Sequence, residues 1–80
     1  MKIELARYLA RTAFRNSREL SDLVPFLKKH LSDREDQTYS RAVATAVAAI
    51  QVELLNRLTA EYPALQVEIE ASIANYERYL

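Results

Sequence analysis

Not one of the 80 residues is glycine, where average usage would give about five or six. A chain without glycine lacks the favoured connectors of type I′ and II′ hairpins, so strands have no ready way to turn. The same absence removes phosphate-cradling loops and dinucleotide fingerprints, in which the backbone must approach a ligand closely. It also removes the calcium loop, which needs glycine at its sharp turn. Helices joined by short turns are what such a chain can build.

Cysteine is absent and His30 is the one histidine, which leaves neither a disulfide nor a Cys/His zinc site. At this length a single core rarely leaves more than about 3 to 5 kcal/mol of net stability. Good helix packing or self-association must therefore supply what cross-links do not. Half the residues are hydrophobic and 28% are charged, the balance of a globular chain rather than a disordered one. One helical domain over residues 1–80, with no cofactor, is the expectation.

Apolar residues recur at helical spacing throughout. Ile3, Ala6, Leu9, Ala10, Ala13, Phe14 and Leu20 fall on one side of a first helix running from about Lys2 to Leu20, with Ser17 among them. Ser21 is positioned to cap a short second helix in which Pro25 falls in the first turn, where its missing amide costs nothing. Leu23, Val24, Leu27 and Leu31 form that helix's stripe, and Lys28, Lys29 and His30 suit the negative end of its dipole. Ser32 and Glu35 then form a capping box that starts a third helix. Nothing stops this helix before Tyr62 and Pro63. Its length is about 29 residues, or about 43 Å, against about 30 Å for a compact globule of this size. Either it breaks near Ser40 or it projects and finds a partner. Pro63 opens a fourth helix, expected to reach the C-terminus, with Tyr62, Leu65, Ile69, Ile73, Tyr76 and Leu80 as its stripe. The fold class that follows is an all-α bundle of about four helices with a long central third helix, completed by dimerisation.

Three constellations bear on function. Arg7, Arg11, Arg15 and Arg18 project from one face of the first helix, opposite its apolar side, with only Glu4 among them. Such a face is ordinarily solvated, but a stripe without interleaved acids also suits an anion or an acidic protein. The charge is dipolar along the chain: residues 1–31 carry a net +4 and the remainder −4. The second constellation is the uncharged run from Ala42 to Val52, which reads AVATAVAAIQV. Val43, Val47, Ile50, Leu54 and Leu58 line one side of that helix and form the candidate dimer interface, while Ala44, Ala48, Val52 and Leu55 form much of the other. In the third, Glu61, Glu68, Glu70 and Glu77 border the fourth helix's stripe, as charged residues flank a coiled-coil seam. A basic partner helix would suit them, although the first helix is an imperfect one because its arginines oppose its apolar side.

Catalysis has little to stand on. His30 and Asp33 could pair, but no cysteine is present and no serine lies in a nucleophile motif. Asp33, Glu35 and Asp36 answer the positive start of the third helix better than they answer a metal. No segment is apolar enough to cross a bilayer and no signal-peptide pattern is present, so a soluble, cytoplasmic chain is expected. The expected function is a non-enzymatic, homodimeric interaction module. The alternative is nucleic-acid binding through Arg7, Arg11, Arg15 and Arg18, against which stands the acidic start of the third helix.

Overall fold

The first helix of the computed structural model does not stop at Leu20. The structure describes residues 1–79 and runs in the order α1 (Ile3–His30), α2 (Asp33–Ala49), a π-helical segment (Ile50–Leu55), α3 (Asn56–Glu61) and α4 (Pro63–Tyr76). No strand occurs among the described residues.

The two short helices expected before residue 31 are one, and the reason lies in their shared seam. Ala6, Ala10, Ala13, Ser17, Leu20, Val24, Leu27 and Leu31 are spaced alternately four and three apart, and each is buried or half-buried. A stripe that continues unbroken through Ser21 gives the helix more than a new cap would. Pro25 sits inside α1, where it withholds the amide that would bond the Ser21 carbonyl. Ser21 is exposed, so water can take that carbonyl instead.

Leu31 and Ser32 turn the chain back on itself, and α2 packs along α1 as the second arm of a hairpin. The Ser32 hydroxyl oxygen accepts the Glu35 amide at 3.3 Å. Its own proton goes to the Glu35 carboxylate at 2.9 Å, so only one half of the expected capping box forms through an amide. Helix then continues to Glu61 with no break at Ser40. The molecule is accordingly long, measuring 45 × 25 × 15 Å.

The π segment explains how so long a run stays in contact with α1. Along α2 the inward stripe steps in sevens, from Val43 to Ile50 and from Val47 to Leu54. One more step would turn Arg57 and Glu61 inward. A π turn, bonded five residues back, absorbs one extra residue and shifts the phase. The Asn56 amide bonds to the Gln51 carbonyl, and the Gln51 side-chain amide donates to the Asn56 side-chain oxygen at 2.8 Å across the same turn. Leu55, Leu58 and Tyr62 then face inward, while Arg57 and Glu61 stay exposed.

Tyr62 breaks the helix and Pro63 starts α4. Leu65 and Ile69 are buried, and Leu65 joins Ala6, Ala10, Ala13, Leu55 and Leu58 in one core. The three small alanines give the larger leucines room to approach α1. The Tyr62 hydroxyl also donates to the Met1 carbonyl, tying the start of α1 to the start of α4. Rather than reaching the C-terminus, α4 ends at Tyr76, and Glu77 adopts a left-handed conformation (φ 60°). Helices often end on such a residue, and a chain without glycine must use another side chain there. The Glu77 amide bonds to the Ile73 carbonyl at 2.8 Å and the Ser72 hydroxyl donates to the Arg78 carbonyl at 2.7 Å. The chain then folds back so that the Tyr79 ring meets Phe14 edge to face at 5.5 Å. Leu80, expected on the stripe, lies outside the described residues.

Three helical rods thus surround the core near the N-terminus of α1, and only two make up the far half of the hairpin. Among the described residues, α2 contains no buried side chain at all.

Candidate functional site

The four arginines of α1 share a face but not their surroundings. At 100° per residue, Arg7 and Phe14 lie on the flank of α1 that α4 and the fold-back approach. The Arg7 Nε reaches both Glu68 carboxylate oxygens at 3.1 Å, and its Nη2 reaches Oε1 at 2.9 Å. This forked pair matches the planar geometry of guanidinium to that of carboxylate. The hydrogen bond and charge of Glu68 hold the Arg7 guanidinium above its ordinary value. The first helix is therefore a basic partner for α4 after all, because Arg7 borders the seam rather than opposing it.

Arg11 stands over the Tyr79 ring, 5.6 Å from its centre, a favourable cation–π placement. Burial pushes the Tyr79 phenol up, and Glu68 adds to that effect, while Arg11 and Arg7 pull it down. Arg15 and Arg18 are exposed and have no ion-pair partner among the described residues.

A groove of about 630 Å³ opens where α4 stops short along α1, within the size range of ligand sites. Its floor is Phe14, Ile73 and Tyr79, its cationic edge Arg11, Arg15, Arg18 and Arg78, and its acidic group Glu77. Fold-back of Tyr79 was not legible in the sequence, so neither was this apolar floor.

On the opposite side the hairpin is bare. Leu5 lies roughly 160° round α1 from Arg7, and Leu23 roughly 180° from Phe14. The exposed residues Leu5 and Leu23 share this side of α1 with half-buried Leu9, and exposed Phe26 lies at its outer edge, about 60° round the helix from Leu23. On α2 the same side carries Tyr39, Ala42, Ala46 and Ala49, spaced three, four and three apart and all exposed. A shallow groove of about 550 Å³ runs between the two arms, lined by Asn16, Glu19, Leu20, Leu23 and Ile50.

The expected dimer stripe is used within the chain. Leu58 is buried in the core, Ile50 and Leu54 pack against it, and half-buried Val43 and Val47 continue the same stripe along α1. Of the far side, Leu55 is buried too, brought round by the π turn, whereas Ala44, Ala48 and Val52 are exposed.

His30 lies against Phe26, with ring centres 4.5 Å apart, and Asp36 accepts the Ser40 hydroxyl at 2.8 Å. Among the described residues no group of three or more His, Asp or Glu could hold a metal, and no helix is long and apolar enough to cross a membrane. No family model matches the chain, and neither a curated protein nor a solved structure matches it significantly.

Proposed function

We propose that this chain is a non-enzymatic helical interaction module that works as a homodimer, joined through the bare side of its hairpin. The observation that carries this reading is the uncovered far half, where no α2 side chain is more than half-buried. Tyr39, 55% exposed, stands in line with the alanines there, and Leu23, 42% exposed, lies on the same side of α1. Two helices can bury only the stripes they turn to each other, and a stable layer needs a second one against it. A second copy laid on this side supplies two more helices and makes a four-helix core, with Ala42, Ala46 and Ala49 permitting close approach. The interface is thus displaced round α2 from Val43, Val47, Ile50, Leu54 and Leu58 to the neighbouring stripe.

The test is nuclear magnetic resonance on a mixture of isotope-labelled and unlabelled chains, filtered for contacts between copies. Contacts from the Leu23 methyl groups to those of Ala42 or Ala46 are expected. Their absence, with contacts elsewhere, would refute this interface. Nucleic-acid binding ranks second because Arg7 is committed to Glu68 and Arg11 stacks on Tyr79, leaving two of the four arginines to meet phosphate.

A further inference from the structure

The ridge that α4 uses on α1 does not end where α4 ends. Docking of α4 combines a carboxylate, Glu68, on Arg7 with buried aliphatic side chains, Leu65 beside Ala6, Ala10 and Ala13 and, one turn on, Ile69. Beyond Arg7 the same face of α1 repeats Arg11, Arg15 and Arg18, while Ser17 continues the line of small residues. Past the fold-back at Tyr79, Arg15 and Arg18 border an apolar floor with nothing laid across it among the described residues.

We infer that this groove takes an acidic amphipathic helix from a partner protein, one carrying aliphatic residues on one side and carboxylates beside them at successive turns. Charge complementarity selects the class of occupant. Arg15, Arg18 and Arg78 have no ion-pair partner among the described residues, and Glu77 is the groove's one carboxylate. Arg15 and Arg18 are three residues apart, so they stand about one turn apart on the helix. Glutamates one turn apart on a docked helix meet both, as Glu68 meets Arg7. The floor selects against a nucleic-acid strand. Phosphates have no use for Ile73, and Phe14 and Tyr79 are turned edge to face on each other rather than offered as flat platforms for bases. This groove lies on the opposite side of the hairpin from the proposed dimer face, so either reading can fail alone.

The experiment uses the full chain and two labelled synthetic peptides. One is an amphipathic helix with leucines along one side and glutamates flanking them, and the other has lysine for every glutamate. Fluorescence anisotropy at low salt is expected to show the glutamate peptide binding at least roughly tenfold more tightly, a difference of about 1.4 kcal/mol. In the double variant Arg15→Glu and Arg18→Glu the preference should invert. The double variant Arg15→Gln and Arg18→Gln, which removes charge without reversing it, should abolish the preference. Circular dichroism establishes that each variant is folded, as expected for two exposed residues. Equal binding of both peptides by the parent chain would overturn the inference, and so would a preference that survives both double variants. Displacement of the glutamate peptide by a lower concentration of single-stranded oligonucleotide would overturn it in favour of nucleic acid.

Discussion

Arg7 and Glu68 are 61 residues apart and joined by a forked ion pair that ties the first turns of α1 to the middle of α4. The pair is only part-buried, with 28% and 39% of the two side chains exposed, so its role is to fix where α4 lies more than to stabilise the whole fold. Arg7→Glu is expected to loosen α4, seen as faster hydrogen exchange at the amides of Gln66 to Ala71 while α2 is little changed. Adding Glu68→Arg should restore protection. Equal loss in the single and paired variants would show that the pair does not position α4.

Among the described residues, Leu65 is the one large side chain in the core that is fully shielded from solvent. Truncation to alanine removes its methyl groups and leaves a cavity, which typically costs about 2 to 5 kcal/mol. That is as much as a single core of this size usually holds in reserve, about 3 to 5 kcal/mol. Leu65→Ala should therefore be largely unfolded at room temperature by circular dichroism. A cooperative melt close to that of the parent chain would mean that α4 is not part of the core.

The π segment gives an unusual prediction about deletion. Because the π turn accommodates one surplus residue, removing exposed Val52 should let the run close into a regular α-helix with Val43, Val47, Leu55 and Leu58 all still inward. Removing Ala46 instead rotates the part of α2 before it by about 100° relative to the part after it, so that Val43 no longer lines up with Ile50. Thermal melting should show the Val52 deletion folded and the Ala46 deletion severely destabilised. Two equally damaged chains would contradict the phase-shift account.

Tyr79 supplies a pH dependence. Its phenol is held above the ordinary tyrosine value, chiefly by burial. The unfolded chain then ionises Tyr79 first as pH rises, so the stability linked to this group is complete below about 10 and is lost as pH climbs through the folded value. One of the five tyrosines should ionise last in an ultraviolet phenolate titration, and Tyr79→Phe should remove that last step. An unchanged titration in the variant would place the late tyrosine elsewhere.

Much of this architecture is written in residue spacing. Ala6 to Leu31 already carry the alternating four and three spacing of one continuous seam, and Ser21 misleads only because a good capping residue happens to stand beside Pro25. The π turn also leaves a mark, since the sevenfold step from Val43 and Val47 runs into Arg57 and Glu61. The end of α4 leaves none, because a left-handed Glu77 has no residue preference to announce it. Without the fold-back, the Phe14–Tyr79 contact and the apolar floor beside Arg15 could not be drawn from pattern alone. Nor could the pairing of Arg7, which depends on how closely α4 lies to the edge of the α1 seam.

The central claim is that the bare side of the hairpin is covered by a second copy of the chain, and molar mass by analytical ultracentrifugation tests it most directly. At micromolar and higher concentrations the account predicts twice the 9.2 kDa chain mass, falling toward the single mass on dilution. Ala46→Glu places a charge on the proposed interface and on nothing within the monomer, so it should give the single mass with helicity retained. A parent chain of 9.2 kDa at every concentration would contradict the claim, and so would a dimer that Ala46→Glu leaves intact.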